Sequence, residues 1–150
     1  MGRLRRNFQG YTDDTSDVLI GIGASSISRF PQGFAQNAPA TSAHTGKIRA
    51  GSFSTSRGHQ LVGQDAMRAR MIEHLMCDFR IEGDEIIRRF GIGQYELGEL
   101  FAKAQRAFPD MLLVEGNNLL VPPDARPLTR MIARSFDAYD LSKAGHSSAI

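Results

Sequence analysis

Apolar side chains recur at helical spacing in the second half of this chain but not in the first. A helix that packs on a core shows apolar residues every three or four positions, so this pattern limits where helices can form. Gln64 and Asp65 offer an N-cap for a first helix. The apolar residues of that helix are Met67, Met71, Ile72, Leu75, Met76 and Phe79.

Two more helices are predicted before the chain changes character. Gly83 and Asp84 begin a short second helix, which Gly91 ends. Residues 94–107 form the third helix, and Pro109 follows it as a stop signal. The apolar side of this third helix contains Leu97, Leu100, Phe101, Ala104 and Phe108.

A hairpin and a closing helix complete this half. The turn residues Gly116-Asn117-Asn118 separate two strand-like runs, 111–115 and 119–121. After Pro122-Pro123 a last helix carries Leu128, Ile132, Phe136 and Tyr139. Three helices, a hairpin and a closing helix is the order of a winged-helix domain. We therefore predict an α+β fold in which residues 64–150 form a mostly helical, winged-helix-like domain.

Residues 1–63 have a different texture, being rich in Gly, Ser, Thr, Ala and Pro. Residues 17–22 form a short apolar run that predicts a buried strand. The apolar content then collapses over residues 39–57, which predicts a surface excursion or flexible connection. A segment with so few apolar residues cannot form its own core, so we expect it to be poorly ordered if isolated or to belong to a larger sheet.

Size and composition restrict the class of protein. A chain of 150 residues has room for one ordinary domain, or for a small domain and an arm. No apolar run approaches the ~20 residues of a membrane helix, so we predict a cytoplasmic protein that does not bind membranes. We also expect a monomer. One cysteine, Cys77, rules out an internal disulfide framework.

The charge distribution argues against nucleic-acid binding. Residues 1–60 hold seven Lys and Arg against three Asp, a net charge of +4, whereas residues 61–150 hold eleven basic against thirteen acidic residues, a net charge of −2. The charges of the candidate recognition helix, residues 94–107, cancel, and the hairpin tip has no Lys or Arg. Duplex binding depends mainly on phosphate neutralisation, so a winged-helix DNA binder is the weakest alternative.

Several candidate sites have simpler structural explanations. Gly21 and Gly23 follow an apolar run, but Ser26 stands where a dinucleotide fingerprint requires a third glycine, so we predict a tight turn. His74 and Cys77 are three residues apart, yet the other histidines (44, 59 and 146) supply no further pair of ligands.

The remaining charged candidates are Arg68 and a short acidic cluster. Arg68 lies within the apolar stripe of the first helix, which favours a structural role at the helix end and leaves anion binding as the alternative. Asp13, Asp14 and Asp17 are typical of a solvated turn. Without more information, the residues predict only a small helical domain with a basic arm.

Several blocks of sequence resemble one enzyme family in order and over nearly the whole chain. They are residues 5–12 (RRNFQGYT), 19–27 (LIGIGASSI), 30–37 (FPQGFAQN), 57–61 (RGHQL), 75–79 (LMCDF), 136–139 (FDAY) and 146–150 (HSSAI). The family is oxygen-independent coproporphyrinogen III oxidase, one of the radical S-adenosylmethionine enzymes, and the resemblance is to its C-terminal portion. It implies that residues 1–63 are the end of an α/β radical-SAM barrel with a connecting arm.

The resemblance implies porphyrin and haem biosynthesis: oxidative decarboxylation of two propionate side chains of coproporphyrinogen III, giving protoporphyrinogen IX. The family uses S-adenosylmethionine and a [4Fe–4S] cluster, which three cysteines hold in a C-x-x-x-C-x-x-C motif. That motif is absent from these 150 residues. We therefore expect an N-terminally truncated piece with no catalytic residue, no metal ligand and no stably bound cofactor, which is inactive alone.

Two site residues follow from the same resemblance. Ile27 matches the family isoleucine that contacts S-adenosylmethionine, and Gln9 resembles a polar residue close to the substrate cavity. The helical half would correspond to a domain that covers the barrel mouth. The alternative to an enzyme piece is a non-catalytic module that binds porphyrin or haem, or that docks onto an enzyme.

Overall fold

The computed structural model describes residues 4–8 and 10–138, and it mixes helices and strands. Strands dominate the part of the chain before residue 61. The elements there are β1 (Arg5–Asn7), β2 (Gly10–Thr12), β3 (Ile27–Phe30), β4 (Gly33–Asn37), α1 (Thr41–Arg49) and β5 (Thr55–Gln60). β1 pairs with β2, and β3, β4 and β5 form an antiparallel sheet in that order.

The second part of the chain is mostly helical. Its elements are α2 (Asp65–Asp78), β6 (Arg80–Ile81), α3 (Gly83–Phe90), α4 (Gln94–Ala107), β7 (Leu113–Glu115), β8 (Asn118–Leu120), a 3-10 helix (Pro123–Leu128) and α5 (Thr129–Arg134). β8 lies between β6 and β7 in an antiparallel sheet. The three predicted helices and the hairpin are confirmed.

The closing helix differs from the prediction in its first turns. It begins as a 3-10 helix and becomes α5 only at Thr129, because Pro127 lies inside it and has no N–H for a regular helical bond. Tyr139, predicted to lie on this helix, is outside the described residues.

One hydrophobic core unites the second part of the chain. Burying a large apolar side chain contributes roughly 1.5–3 kcal/mol, so this cluster supplies most of the favourable free energy of that part. The predicted apolar positions Met67, Met71 and Leu75 lie within it, whereas Met131 of the closing helix is 59% exposed. The buried members are Met67, Met71, Leu75, Ile81, Ile86, Ile92, Leu97, Phe101, Ala104, Leu112, Leu119, Val121, Ala125, Ile132, Ala133 and Phe136.

The predicted buried strand at residues 17–22 is wrong. Only Leu19 bridges to a neighbour, exchanging two backbone hydrogen bonds with Arg29 (Leu19 N to O 3.0 Å, Arg29 N to O 2.8 Å). Val18, Ile20 and Ile22 are 46%, 60% and 85% exposed, because no described element packs on them. The apolar pattern is present without a core to bury it.

Residues 39–53 lie at the surface, as predicted, but they are not an irregular connection, because α1 forms there and β5 starts at Thr55. α1 buries none of its residues, so it carries no apolar stripe that periodicity could detect. Lys47 and Arg49 in its last turn suit the negative end of the helix dipole. His44 Nδ1 lies 2.7 Å from the hydroxyl of buried Ser54, which connects α1 to the chain that leads into β5.

No helix in the two described ranges is both long and apolar enough to cross a bilayer.

Candidate functional site

The turn that precedes Ile27 is held in shape by the end of β4. Asn37 Nδ2 donates to the carbonyl oxygens of Gly21 and Gly23, both at 3.0 Å. Gln36 Nε2 donates to the carbonyl oxygen of Ser25 at 2.8 Å, and Ser25 has a left-handed backbone with φ 65°. These side-chain donors add to two backbone hydrogen bonds, Ser25 N–H to Ala38 O and Asn37 N–H to Ser26 O, both at 3.0 Å. The end of β4 therefore defines the backbone of the turn.

Close packing explains why glycine stands at position 21. A Cβ atom there would lie 2.8 Å from Ser26 Cβ, closer than two carbon atoms can pack. The Gly21 N–H donates to the Ser28 hydroxyl at 3.0 Å. The turn continues into β3 and not into a helix, which confirms the predicted tight turn and excludes a dinucleotide fingerprint at this position.

Ile27 begins β3 and is half-buried opposite Gln36 of β4. Directly paired residues on antiparallel strands point to the same face of a sheet. Phe34, two residues before Gln36, therefore shares the face of Ile27. The Phe8 ring contacts the Phe34 ring edge to face, with centroids 5.1 Å apart and planes at 85°. The structure thus brings the β1–β2 hairpin to the side of the sheet on which Ile27 lies.

Gln9, the second predicted site residue, falls outside the described residues. Its neighbours Phe8 and Gly10 are described, and Gly10 N donates to Asn7 Oδ1 at 3.1 Å. Ile27 and the strands on either side of Gln9 therefore share one region of the molecule.

This region has a positive electrostatic character. Arg29 pairs with Phe34 and so lies on the same face as Ile27, and Arg57 of β5 pairs with Gln36. Arg57 Nε donates to Gln36 Oε1 at 2.5 Å. Strands β3, β4 and β5 contain no Asp or Glu, so the sheet favours anionic over cationic ligands.

An open cavity of about 480 Å³ lies beside the β3–β4 turn. Aromatic rings and backbone form its walls, and one imidazole contributes to it. Its lining residues are Phe30, Gln32, Gly33, Phe34, Gly58, His59 and Gln60.

A second polar cluster, on α2, was not predicted from the sequence. Glu73 is only 9% exposed, and its Oε2 accepts a hydrogen bond from Arg70 Nη1 at 2.6 Å. Arg70 Nε also donates to Glu85 Oε1 at 3.2 Å. Burial raises the pKa of Glu73, but the hydrogen bond and charge of Arg70, with help from the backbone of Arg6 and the charge of Arg5, outweigh it and lower that pKa below 4.5.

His74 is buried beside this cluster. Its Nδ1 accepts a hydrogen bond from the Glu82 backbone N–H at 3.2 Å, so the neutral ring carries its proton on Nε2. Nε2 lies 3.4 Å from Glu85 Oε2. Burial and the charge of Arg70 lower the pKa of His74 although Glu85, Asp78 and Glu73 act in the opposite direction.

Cys77, three residues after His74 on α2, is partly buried. Burial, with the charges of Glu73 and Asp78, raises the pKa of the Cys77 thiol to about 11, and a protonated thiol is a poor ligand. Residues 4–8 and 10–138 contain no group of three or more His, Cys, Asp or Glu that could hold a metal ion.

The other charged candidates have structural environments. Arg68 Nη1 donates to the Phe136 carbonyl oxygen at 3.1 Å and Nη2 to Gln64 Oε1 at 3.2 Å, which agrees with the predicted structural role. Asp13, Asp14 and Asp17 are exposed. Asp14 Oδ1 accepts hydrogen bonds from Ser16, which lower the pKa of Asp14. This is the hydrogen bonding of a solvated turn.

Sequence signals for the missed residues were weak. Arg70 and Glu73 are three residues apart on a predicted helix, a spacing that indicates an ion pair, but not that the pair is buried. Asn37 offered no signal, since its two acceptors lie 14 and 16 positions earlier in the chain.

Comparisons with known proteins show which enzymes the sequence and structure of this chain resemble. No family model matches the chain. The structure is similar, with a TM-score of 0.81 and 28% sequence identity, to coproporphyrinogen III oxidase (HemN) from Escherichia coli, a radical SAM enzyme. The similarity covers 93% of this chain and 32% of that protein. The mixture of helices and strands therefore matches part of a radical SAM enzyme.

Sequence comparison gives a narrower result. The chain is 56% identical to the oxygen-independent coproporphyrinogen III oxidase of Paracoccus denitrificans over 99% of its length, and 55% identical to that of Cereibacter sphaeroides over 94%. It spans about a third of these relatives, 33% and 31% respectively. The chain is therefore similar to about one third of the length of these oxygen-independent coproporphyrinogen III oxidases, which confirms the predicted resemblance.

Proposed function

We propose that this chain forms the C-terminal third of an oxygen-independent coproporphyrinogen III oxidase, which converts coproporphyrinogen III into protoporphyrinogen IX by oxidative decarboxylation. The observation that carries the proposal is the 56% identity to a relative of that name over 99% of the chain. The positive sheet beside Ile27 supports it, because the substrate's propionate groups are anionic.

The residues present do not fit the cluster that this chemistry requires. Iron–sulfur clusters are held by cysteine thiolates, and the resemblance implies three of them, whereas this sequence has one cysteine. Its thiol pKa, about 11, keeps it protonated. The cluster ligands must come from the two thirds of the enzyme's length that this chain does not span.

The part proposed for this chain is to shape one side of the cofactor and substrate site. Ile27 would provide an apolar contact to S-adenosylmethionine, in a position defined by the turn that Asn37 holds. Gln9 would lie close to the substrate, in the hairpin that Phe8 holds against Phe34. These roles rest on the family resemblance, and the shared sheet face supports them.

Two fold assignments belong to the same proposal. Residues 64–150 would be a winged-helix-like domain, supported in its described part by the order α2, α3, α4, the β7–β8 hairpin and α5. Residues 1–63 would be the end of the barrel with its connecting arm, supported by the exposed apolar residues Val18, Ile20 and Ile22.

Anaerobic iron–sulfur reconstitution of this chain tests whether the cluster ligands lie outside it. We expect no [4Fe–4S] absorbance and no corresponding spin-resonance signal, because the donor set is missing. A stoichiometric cluster would contradict this expectation. The activity itself is tested on a protein that joins this chain to the two thirds of the Paracoccus denitrificans relative that it does not span, by following S-adenosylmethionine-dependent formation of protoporphyrinogen IX without oxygen. Absence of product there, with the unaltered relative active, would refute the proposed function.

A porphyrin-binding module is the second candidate, favoured by the open cavity that Phe30, Phe34 and His59 line. Saturable quenching of porphyrin fluorescence by this chain alone would support it, and the absence of binding would remove it.

A DNA-binding role predicts salt-sensitive retention on duplex DNA. We expect none, because the helical half has a net charge of −2. A monomeric state and a cytoplasmic location also stay predictions.

A further inference from the structure

The β1–β2 hairpin needs support from outside itself. Its strands are three residues long, Arg5–Asn7 and Gly10–Thr12, and an isolated two-stranded hairpin is at best marginally stable in water. Its position must therefore be set by the contacts that it makes with the rest of the molecule.

One of those contacts is made by the backbone of β1. Neighbouring residues on an antiparallel strand direct their N–H groups alternately toward and away from the partner strand. Arg6 pairs with Tyr11, and its N–H donates instead to Glu73 Oε1 on α2, at 3.4 Å. Arg5 Nη1 lies 3.5 Å from Glu73 Oε2. A single carboxylate thus contacts both the backbone and a side chain of β1.

We propose that Glu73 is the positioning residue of the β1–β2 hairpin: its carboxylate, oriented by Arg70, fixes β1 on helix α2 and so sets where Phe8 lies against the β3–β4–β5 sheet. The consequence for the substrate site rests on the proposed function, whereas the positioning itself does not.

Arg70 holds the carboxylate independently of the hairpin. It donates to Glu73 at 2.6 Å and to Glu85 at 3.2 Å, so one guanidinium joins α2 to α3. Glu73 is almost fully buried, and a buried charge that loses its partners is strongly destabilising. Arg70 therefore holds the carboxylate in the position in which it accepts the hydrogen bond from the Arg6 N–H.

Two further contacts determine what the contact between Glu73 and β1, here called the clamp, controls. The Tyr11 hydroxyl donates to the Met76 carbonyl oxygen at 3.3 Å, one turn further along α2. At the other end of the hairpin, Phe8 packs on Phe34 of the β3–β4–β5 sheet. The hairpin thus bridges helix and sheet, and Glu73 determines its orientation between them.

The charges around Glu73 define how the clamp responds to pH. Its pKa is lowered, so the carboxylate stays ionised down to a pH below 4.5 and the clamp is lost only in more acidic solution. The charged and titratable groups that face it are Arg5 and Arg6 from β1, Arg70, His74 and Cys77 from α2, and Glu85 from α3 through Arg70.

Solution NMR on the whole chain tests the proposal through the Arg6 amide. In the wild type, we expect the amide resonance of Arg6 to titrate with an apparent pKa below 4.5, since its acceptor is Glu73. Glu73→Gln should abolish that titration but keep most of the protection against hydrogen exchange, because the amide oxygen of glutamine still accepts. Glu73→Ala should reduce the protection of Arg6 roughly tenfold.

Glu85→Gln is the matched control, because Glu85 shares Arg70 but does not touch β1; the Arg6 titration should persist in this variant. Equal protection of Arg6 in wild type and Glu73→Ala, with the amides of α2 still protected, would overturn the proposal. If Glu73→Ala does not fold, the wild type and Glu73→Gln test the proposal. An Arg6 amide that does not titrate in the wild type would refute the proposal, and so would one that still titrates in Glu73→Gln. No cluster or substrate is involved, so the proposed function is tested separately.

Discussion

The buried polar side chains of α2 act mainly as acceptors and ion-pair partners between elements. His74 accepts the Glu82 N–H at the start of α3, and Glu73 accepts the Arg6 N–H from β1. Leaving such a donor unsatisfied costs about 1–3 kcal/mol. Both residues interrupt the apolar face of α2 because they serve backbone groups that no helix or sheet partner satisfies.

His74 should make stability depend on pH. Its pKa is lowered in the folded chain, so the unfolded chain binds a proton at higher pH than the folded chain does. The unfolding free energy should therefore fall as pH drops through about 6.5 toward the folded-state pKa. His74→Gln should flatten this dependence. Urea unfolding between pH 7.5 and 5 measures it, above the range in which Glu73 titrates, and equal slopes in both proteins would contradict the assignment.

At the scale of elements, the turn between β7 and β8 also contacts the helices α3 and α4. Asn118 Oδ1 accepts the Gly83 N–H at 3.1 Å, and Asn117 Nδ2 donates to Asp84 Oδ1 at 2.7 Å. Gln94 Nε2 donates to Asn117 Oδ1 at 2.8 Å, at the start of α4. The β7–β8 turn therefore joins the N-terminal ends of α3 and α4, which satisfies one of the free N–H groups that begin a helix.

Gly83→Ala should destabilise the helical part by about 1–3 kcal/mol, as overpacking does. A Cβ atom at position 83 would lie 1.7 Å from the Asn117 carbonyl oxygen, a backbone atom that cannot move without the turn. Gly98→Ala is the matched control, because nothing lies within 4 Å of a Cβ atom there. It should be neutral or stabilise by up to about 1 kcal/mol. Thermal and urea unfolding compare the two, and a tolerated Gly83→Ala would exclude the tight contact.

At the scale of the whole molecule, the two parts of the chain differ in how they are stabilised. The second part has a continuous core, whereas Val18, Ile20 and Ile22 of the first part are exposed. The expectation that residues 1–63 are poorly ordered if isolated stays a prediction. The contacts of Arg5, Arg6 and Tyr11 with α2 favour protection of β1 and β2, and hydrogen exchange measured across the chain decides between the two outcomes.

Replacing Val18, Ile20 and Ile22 together by serine should change the unfolding free energy of this chain by no more than about 0.5 kcal/mol, as for exposed positions. It should also reduce self-association, since an exposed apolar strip is removed. Leu75→Ala, at a fully buried site, should cost about 2–5 kcal/mol in the same assay. A comparable loss in the triple variant would show that the strip is buried in solution.

Prediction from sequence succeeded where the information is local. The helices at 65–78, 83–90 and 94–107 follow from apolar spacing, the Gly91 C-cap and stop residues, and the Gly-Asn-Asn turn follows from its composition. The predicted N-cap at Gln64 makes no side-chain capping hydrogen bond. Prediction failed for the strand at 17–22, whose apolar run stays largely exposed, and for α1, which has no apolar stripe.

The family and the helical half could thus be read from residues near one another in the chain, because periodicity and motifs are short-range properties. The candidate site could not. Whether Ile27 shares a face with the hairpin depends on the β3–β4 register, and whether Glu73 is a surface acid or a buried clamp depends on β1, 67 residues away in sequence. Burial and pairing across such distances arise only when the chain is folded, and there they decide which polar groups lose water and must find a partner.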